Sequence, residues 1–268
     1  PPINYMYLPF GTYELDSCAI LEYIKAIHKG KDRPKVGLLT LDNAYGKSVQ
    51  EPSKQFAEKH GIQIVGIQQF PAKTIDLTTE LLKLKQAGAE YVFTQILGAN
   101  MISAFEACDR IGYKVPFIGT WTATDPDFFG PVKGLMGDRL KMQFVGCLPG
   151  DGTPGVKLIE DLIQRYKSVD RYDLSYWEGV AIGMIMARAA ERAKEKFGKI
   201  TSETVNQALE SFKDEDFGGV VPKITYSKDN HQGSFVGRIV QVHENGSFTP
   251  LTNFFTPGKG ELKLLKEK

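Results

Sequence analysis

The stretch KVGLLTLDNAYGKSVQEPSKQFAEKHGIQIVGIQQF, residues 35–70, decides the fold. Its first seven residues, Lys35–Leu41, are a nearly continuous apolar run, the pattern of a strand buried on both faces. Residues 45–60 then predict a helix and residues 62–70 a second strand. Strand, helix and strand at this spacing make a βαβ unit, whose right-handed crossover lays the strands parallel. The unit repeats outward. Asp76 precedes a helix over about 77–86, with Leu77, Leu81, Leu82 and Leu84 near helical spacing and Gly88 as its stop. A third strand follows at 91–97, a helix at 100–111 ending on Gly112, a fourth strand at 115–120 and a fifth at 142–148. Short connections of this kind put helices on both faces of one sheet, a Rossmann-like, doubly wound α/β lobe.

The texture changes after Pro149. Residues 150–155, GDGTPG, are a turn-rich, hinge-like stretch, and the chain beyond it is helical: 156–166, 175–197 and 202–212, the last with Thr201 as its N-cap. These helices have no sheet of their own. Residues 224–227, 234–243 and 248–255 read as strands, and Glu244-Asn245-Gly246 supplies a hairpin turn.

Composition narrows the function. At 268 residues the chain can bury two modest cores, and 33 basic against 32 acidic residues give a net charge of +1, no field for a polyanion, so nucleic acid is not expected as a partner. Cys18, Cys108 and Cys147 lie far apart with no CxxC spacing, which gives neither a zinc nor a thioredoxin-like pattern. The longest apolar stretch, 179–187, is far short of the roughly 18–20 residues of a membrane span. No signal peptide is present, and the start Pro1-Pro2-Ile3 suggests upstream sequence that has been removed.

The common enzyme signatures fail. Gly46-Lys47-Ser48 resembles the end of a phosphate-binding loop, but that motif needs a glycine where Leu41 stands. No GxGxxG follows a strand, no GxSxG occurs, and His243-Glu244 lacks a second histidine. His28, His60, His231 and His243 fall on helix ends or turns and are expected to be exposed. No cofactor is implied and an enzyme is not expected. A doubly wound lobe binds ligands beyond the carboxyl ends of its strands, so three loops are the candidates. The first, residues 42–45, offers the ring and hydroxyl of Tyr45, or packs that ring at a helix start. The second, 95–100, offers Gln95 and Asn100, with Leu97 and Gly98 permitting close approach; Asn100 could equally cap a helix. The third, 120–125, combines Thr120, Thr122 and Thr124 with Trp121, whose ring at a strand end suits a cleft wall.

The run Arg33-Pro34-Lys35-Val36-Gly37-Leu38-Leu39 and then Asp42-Asn43-Ala44-Tyr45-Gly46 resembles the second-lobe opening of type I periplasmic solute-binding proteins of the branched-chain amino-acid (Leu/Ile/Val) receptor family of ABC importers. The likeness continues through Glu22-Tyr23-Ile24, Tyr91-Val92-Phe93, Arg110-Ile111-Gly112-Tyr113 and Pro116-Phe117-Ile118-Gly119. It implies a two-lobed, Venus flytrap architecture with inter-lobe crossings near 7–15, 149–155 and 219–223. Residues 1–15 would be a crossing, 16–150 and 224–268 a complete second lobe, and 151–223 the helical portion of an incomplete first lobe. A first-lobe opening of about 100 residues, half a domain pair by size, has no counterpart, so the resemblance implies N-terminal truncation. The apolar faces of the 151–223 helices would then pack on the other lobe, another chain or a missing segment.

The resemblance also adds site residues. Tyr13 lies where the family places a polar group facing the cleft, and Trp177 begins a helix whose amino end faces it and would favour a ligand carboxylate, or else anchors that helix in the core. Trp121 stands where amino-acid-binding members carry the acid that pairs the ligand ammonium, with Asp125 four residues on, so the resemblance argues against recognition of an α-amino group. The implied function is an exported, periplasmic or cell-surface receptor that closes around a small organic acid or amino-acid-like ligand. Phe10, Tyr13, Trp121 and Trp177 together favour an aromatic or otherwise flat apolar one, and the partner would be the importer's membrane permease. The alternative is a ligand-sensing regulatory or receptor domain of the same fold.

Overall fold

The structure, a computed structural model, describes residues 4–124, 128–169 and 172–265. The chain divides into two compact units, unit 1 from residues 1–12 and 145–236 and unit 2 from 13–144 and 237–268.

Unit 2 is built on one seven-stranded sheet in the order β2-β1-β3-β4-β5-β6-β7. The strands are β1 (Lys35–Leu41), β2 (Gln63–Phe70), β3 (Tyr91–Gln95), β4 (Phe117–Thr120), β5 (Leu140–Phe144), β6 (Arg238–Val242) and β7 (Phe248–Pro250). The first five are mutually parallel; β6 and β7 add antiparallel strands at one edge. Helices α1 (Tyr13–Ile27), α2 (Ala44–Lys47), α3 (Gln50–His60), α4 (Thr78–Gln86) and α5 (Gly98–Arg110) cover it. On one face Ala19, Ile20 and Ile24 of α1 and Phe56 and Ala57 of α3 bury Val36, Leu38, Phe93, Ile118 and Ile239. On the other, α4 lays Leu84 over Gly37, and Phe105 of α5 meets Phe117 at 5.2 Å between ring centroids. Helices on both faces of a mostly parallel sheet make this the doubly wound lobe that the sequence predicts.

Several boundaries differ from the sequence reading. The helix expected over 45–60 is two helices, α2 and α3, because Pro52 has no N–H to donate and its ring would clash with the carbonyl of Ser48; the chain restarts at Val49. The strand expected at 142–148 is β5, ending at Phe144, and the strand expected at 91–97 ends at Gln95. Residues 224–227 form isolated bridges, Glu215 with Ile224 and Ser227 with Asn230, in place of a strand. Helix α1 starts at Tyr13, inside the segment read as a crossing. The units divide at 12, 144 and 236, where the sequence reading put 15, 150 and 223.

Unit 1 carries helices α6 (Pro154–Tyr166), α7 (Leu174–Phe197) and α8 (Ser202–Glu210), the last entered through a capping box between Thr201 and Thr204. Trp177 of α7 anchors it: fully buried, its indole N–H donates to the Val220 carbonyl at 2.8 Å and its ring stacks on Phe10 at 5.2 Å. Only a glycine fits at 146, since a Cβ there would lie 2.1 Å from the indole. His231, expected to be exposed, is buried, because its ring stacks on Tyr7 at 4.0 Å and its Nδ1 bonds the Met6 carbonyl. Ile182 and Met186 on α7 are exposed, so part of that helix's apolar surface is uncovered within the unit.

Candidate functional site

The order β2-β1-β3 places a topological switch point between β1 and β3, where outgoing connections diverge to opposite faces and leave a crevice at the strand ends. Each of four adjacent strands ends there on a buried polar residue: Thr40 on β1, Gln95 on β3, Thr120 on β4 and Gln143 on β5. Thr40 pairs with Gln95 and Thr120 with Gln143 in the ladder, and Thr120 donates to Gln95 Oε1 at 3.3 Å. Side chains two apart share a face, so the row lies on the same side as Leu38, Phe93 and Ile118, beneath α1. Gln50 Nε2 of α3 donates to Thr40 at 3.0 Å, whereas Gln95 Nε2 and Gln143 Oε1 have no hydrogen-bond partner among the described residues.

Tyr45 brings a hydroxyl to this row. Its position is set by the entry into α2, where Asn43 Oδ1 accepts the Gly46 N–H at 2.9 Å and Gly46 sits against the backbone of Leu41. A Cβ at residue 46 would lie 2.0 Å from the Leu41 carbonyl oxygen, which explains the glycine that made this segment resemble a phosphate loop. The Tyr45 hydroxyl meets Thr120 Oγ1 at 3.2 Å and also bonds Thr122 Oγ1, and the two threonine hydroxyls are 2.8 Å apart. Thr122 is presented by a 3-10 turn, Trp121–Ala123, that follows β4 directly and leaves Trp121 half-buried beside the cluster in sequence. The Tyr13 ring stands edge-on to Tyr45, centroids 5.0 Å apart at 84°. Burial raises the Tyr45 phenol, its hydrogen bonds to Thr120 and Thr122 oppose this, and the charges of Tyr13 and Asp16 raise it further.

Of the residues expected from sequence, Tyr13, Tyr45, Gln95, Thr120 and Thr122 thus come together, with Trp121 on the same turn as Thr122. Leu97 is the N-cap of α5, 45% exposed and outside these contacts. Asn100 is inside α5, not its cap, and its amide donates to the Ala72 carbonyl. Trp177 belongs to the packing of unit 1, with no surface left to offer a ligand. The amino end of α7 is already capped by the Asp173 carboxylate, which accepts from Tyr176 N–H at 2.8 Å, so the anion that this helix end favours is supplied by the chain itself. Asp125 lies outside the described residues.

Sequence reading missed Asp16, Thr40 and Gln143. For Thr40 and Gln143 the signal was present: in KVGLLTL, YVFTQ, FIGT and LKMQF, a polar residue stands at the last or next-to-last position of an otherwise largely apolar strand. Among the described residues the cluster has hydroxyls, amides, aromatic rings and one carboxyl, and no nucleophile paired to a base: His28, His60, His231 and His243 make their contacts with Tyr91, Phe56, Tyr7 and Thr249. Among the described residues no group of three or more His, Cys, Asp or Glu could hold a metal, and no helix is long and apolar enough to cross a membrane. A separate cavity of about 360 Å³ lies within unit 1, lined by Tyr7, Ile182, Met186, Asn206, Leu209 and Tyr226 among others, and contains none of the residues expected from sequence.

Comparison with known proteins points the same way. The family profile described as periplasmic binding protein matches residues 2–247. The chain is similar to Leu/Ile/Val-binding protein homolog 7 of Brucella suis biovar 1, 30% identical over 87 residues that make up 32% of this chain and 22% of that protein. The matched stretch therefore spans about a fifth of the length of that curated relative. Among solved structures it resembles a branched chain amino acid ABC transporter protein from Thermus thermophilus with bound valine, with a TM-score of 0.87, 27% identity and coverage of 96% of this chain and 69% of that one. A fatty acid ABC transporter substrate-binding protein from Thermomonospora curvata shares the fold, with a TM-score of 0.84, 18% identity and coverage of 96% and 67%.

Proposed function

The chain belongs to the periplasmic binding protein family, and from that premise we propose that it is part of the solute receptor of an ATP-driven importer. It takes a small organic acid or amino-acid-like ligand at the strand ends of unit 2 and presents it to a membrane permease outside the cytoplasmic membrane. The observation that carries this reading is the buried row Thr40-Gln95-Thr120-Gln143 at a switch point, joined by the Tyr45 and Thr122 hydroxyls. Four polar side chains in a sheet interior are costly unless they are hydrogen-bonded, and the amides of Gln95 and Gln143 each hold an atom with no partner among the described residues that a ligand could engage. The relatives are solute-binding proteins rather than enzymes, and one holds valine. We read unit 2 as the second lobe of such a receptor and the helices of unit 1 as part of its first.

A stability-shift screen of amino acids, aliphatic acids and aromatic acids tests the reading. A ligand at 100 times its dissociation constant raises unfolding stability by about 2.7 kcal/mol, a shift well outside scatter. Trp121→Ala is expected to weaken the bound compound more than tenfold while unit 2 stays folded. No shift with any class of compound would remove the receptor reading, and unchanged affinity by calorimetry would remove Trp121 from the site.

A further inference from the structure

Among the described residues, Asp16 is the one buried acidic side chain, and its charge reaches Tyr45 of the strand-end cluster. It lies in the first turn of α1, one turn on from Tyr13, and is only 7% exposed. Helix α1 packs on α3 and across β4, β5 and β6, and its first turn reaches the cluster through Tyr13, whose ring meets that of Tyr45. The groups on these elements leave Asp16 without a counter-charge. Tyr13 and Tyr45 are the titratable neighbours, and Tyr45 feels the Asp16 charge. On α3, Glu51 and Lys54 pair with each other at the surface. On β5, Lys141 turns back to the Asp138 carbonyl, and on β6 the Arg238 guanidinium lies over the Phe254 ring at 4.6 Å. Gln143 Oε1, on the α1 side of the sheet, is a second buried acceptor with no donor among the described residues.

We propose that Asp16 is the specificity-determining residue of this site: it receives a protonated amine of the ligand and gives up its own proton as it does so. The inference rests on the receptor reading and narrows it to ammonium-bearing molecules. It also replaces the expectation that Trp121, standing where an acid is wanted, argues against such ligands; the acid comes from a different element. Burial lifts the Asp16 carboxyl to about 8, with no neighbouring cation to oppose it, so at pH 7 the empty site holds the neutral acid. An arriving ammonium supplies the missing positive charge. The carboxyl O–H bond then breaks, its proton passes to solvent, and the carboxylate accepts the ammonium N–H, with Gln143 Oε1 available as a second acceptor.

The test is titration calorimetry at pH 7 in phosphate and in Tris, whose ionisation enthalpies differ, using L-valine and L-phenylalanine and their amine-free counterparts 3-methylbutanoate and 3-phenylpropanoate. At least one amine is expected to bind with an apparent enthalpy that differs between buffers by close to one proton, and its amine-free counterpart to bind more than tenfold more weakly. Asp16→Asn is expected to lose the proton release and at least tenfold in amine affinity, with an unfolding transition as cooperative as the wild type's to show that the fold survives. Equal or tighter binding of the amine-free acids, an enthalpy independent of buffer, or undiminished amine binding by Asp16→Asn overturns the assignment and leaves the receptor reading standing. If none of the four compounds binds and the wider stability-shift screen is also silent, the receptor reading falls and the assignment falls with it.

Discussion

Replacing Gly46 by alanine should damage stability and recognition together. The added Cβ would stand 2.0 Å from the Leu41 carbonyl oxygen, 2.5 Å from its nitrogen and 2.7 Å from its carbonyl carbon. All three are backbone atoms of β1 and cannot turn aside. Non-bonded carbon contacts settle near 3.5 Å or beyond, so α2 must back away by roughly an ångström. Tyr45 rides on the same turn, and its hydroxyl already reaches Thr120 at 3.2 Å, so an ångström of retreat breaks that hydrogen bond. Forced overpacking costs about 1–3 kcal/mol and each lost hydrogen bond about 1 more, which makes a loss of about 2–4 kcal/mol. Most domains have 5–15 kcal/mol to draw on, so the protein should still fold. Urea unfolding would show a lower midpoint at unchanged slope, and any ligand held by the Tyr45 hydroxyl should weaken more than tenfold. A variant with wild-type midpoint and affinity would refute the claim that this glycine sets the position of Tyr45.

Other perturbations separate packing from recognition. Trp177→Ala should cost about 3–5 kcal/mol in urea unfolding, since it empties a fully buried site and removes the shorter of two hydrogen bonds to the Val220 carbonyl; a loss under 1 kcal/mol would contradict the anchoring role. Thr120→Val keeps the side-chain volume but removes the donor to Gln95 Oε1 and the partner of Tyr45, at a cost of about 1–3 kcal/mol in the same measurement. Asp16 gives a signed pH effect. Its folded value of about 8 lies above the ordinary carboxyl range, so between about pH 4 and 8 the folded state holds a proton that the unfolded state has released, and stability falls as pH rises through that window. Asp16→Asn should flatten this fall and gain relative to wild type near pH 8; parallel melting-temperature curves for the two proteins from pH 4 to 8 would sink the argument.

Much of unit 2 was legible because its rules are local. Lys35–Leu41 is a strand in both readings, since a run apolar on both faces has no other use in a helix-covered sheet. Gly88 and Gly112 end helices as expected, each in a left-handed conformation that glycine adopts without cost. What escaped depended on partners distant in sequence. Helix α1 buries Asp16, Ser17 and Tyr23 along with its aliphatic residues, which blurs the stripe that announces a surface helix. The strand expected to run to 148 stops at Phe144, and Gly146 beyond it lies against an indole that arrives from position 177. The same distinction holds at the site. Tyr45, Gln95, Thr120 and Thr122 were found because strand ends are where doubly wound sheets bind. Thr40 and Gln143 were passed over as ordinary strand residues, although ladder pairing sets them level with Gln95 and Thr120.

That levelness has an evolutionary consequence. Thr40, Gln95, Thr120 and Gln143 each come from a separate strand, and it is the backbone pairing of those strands, not the side chains, that sets them level. Under the proposed function, a lineage that exchanged one of them would alter which functional group meets the ligand while the strands beneath stay paired as before. Four positions on a fixed line would then give such a receptor a short path between ligands, and they mark where a designer wishing to redirect it should begin.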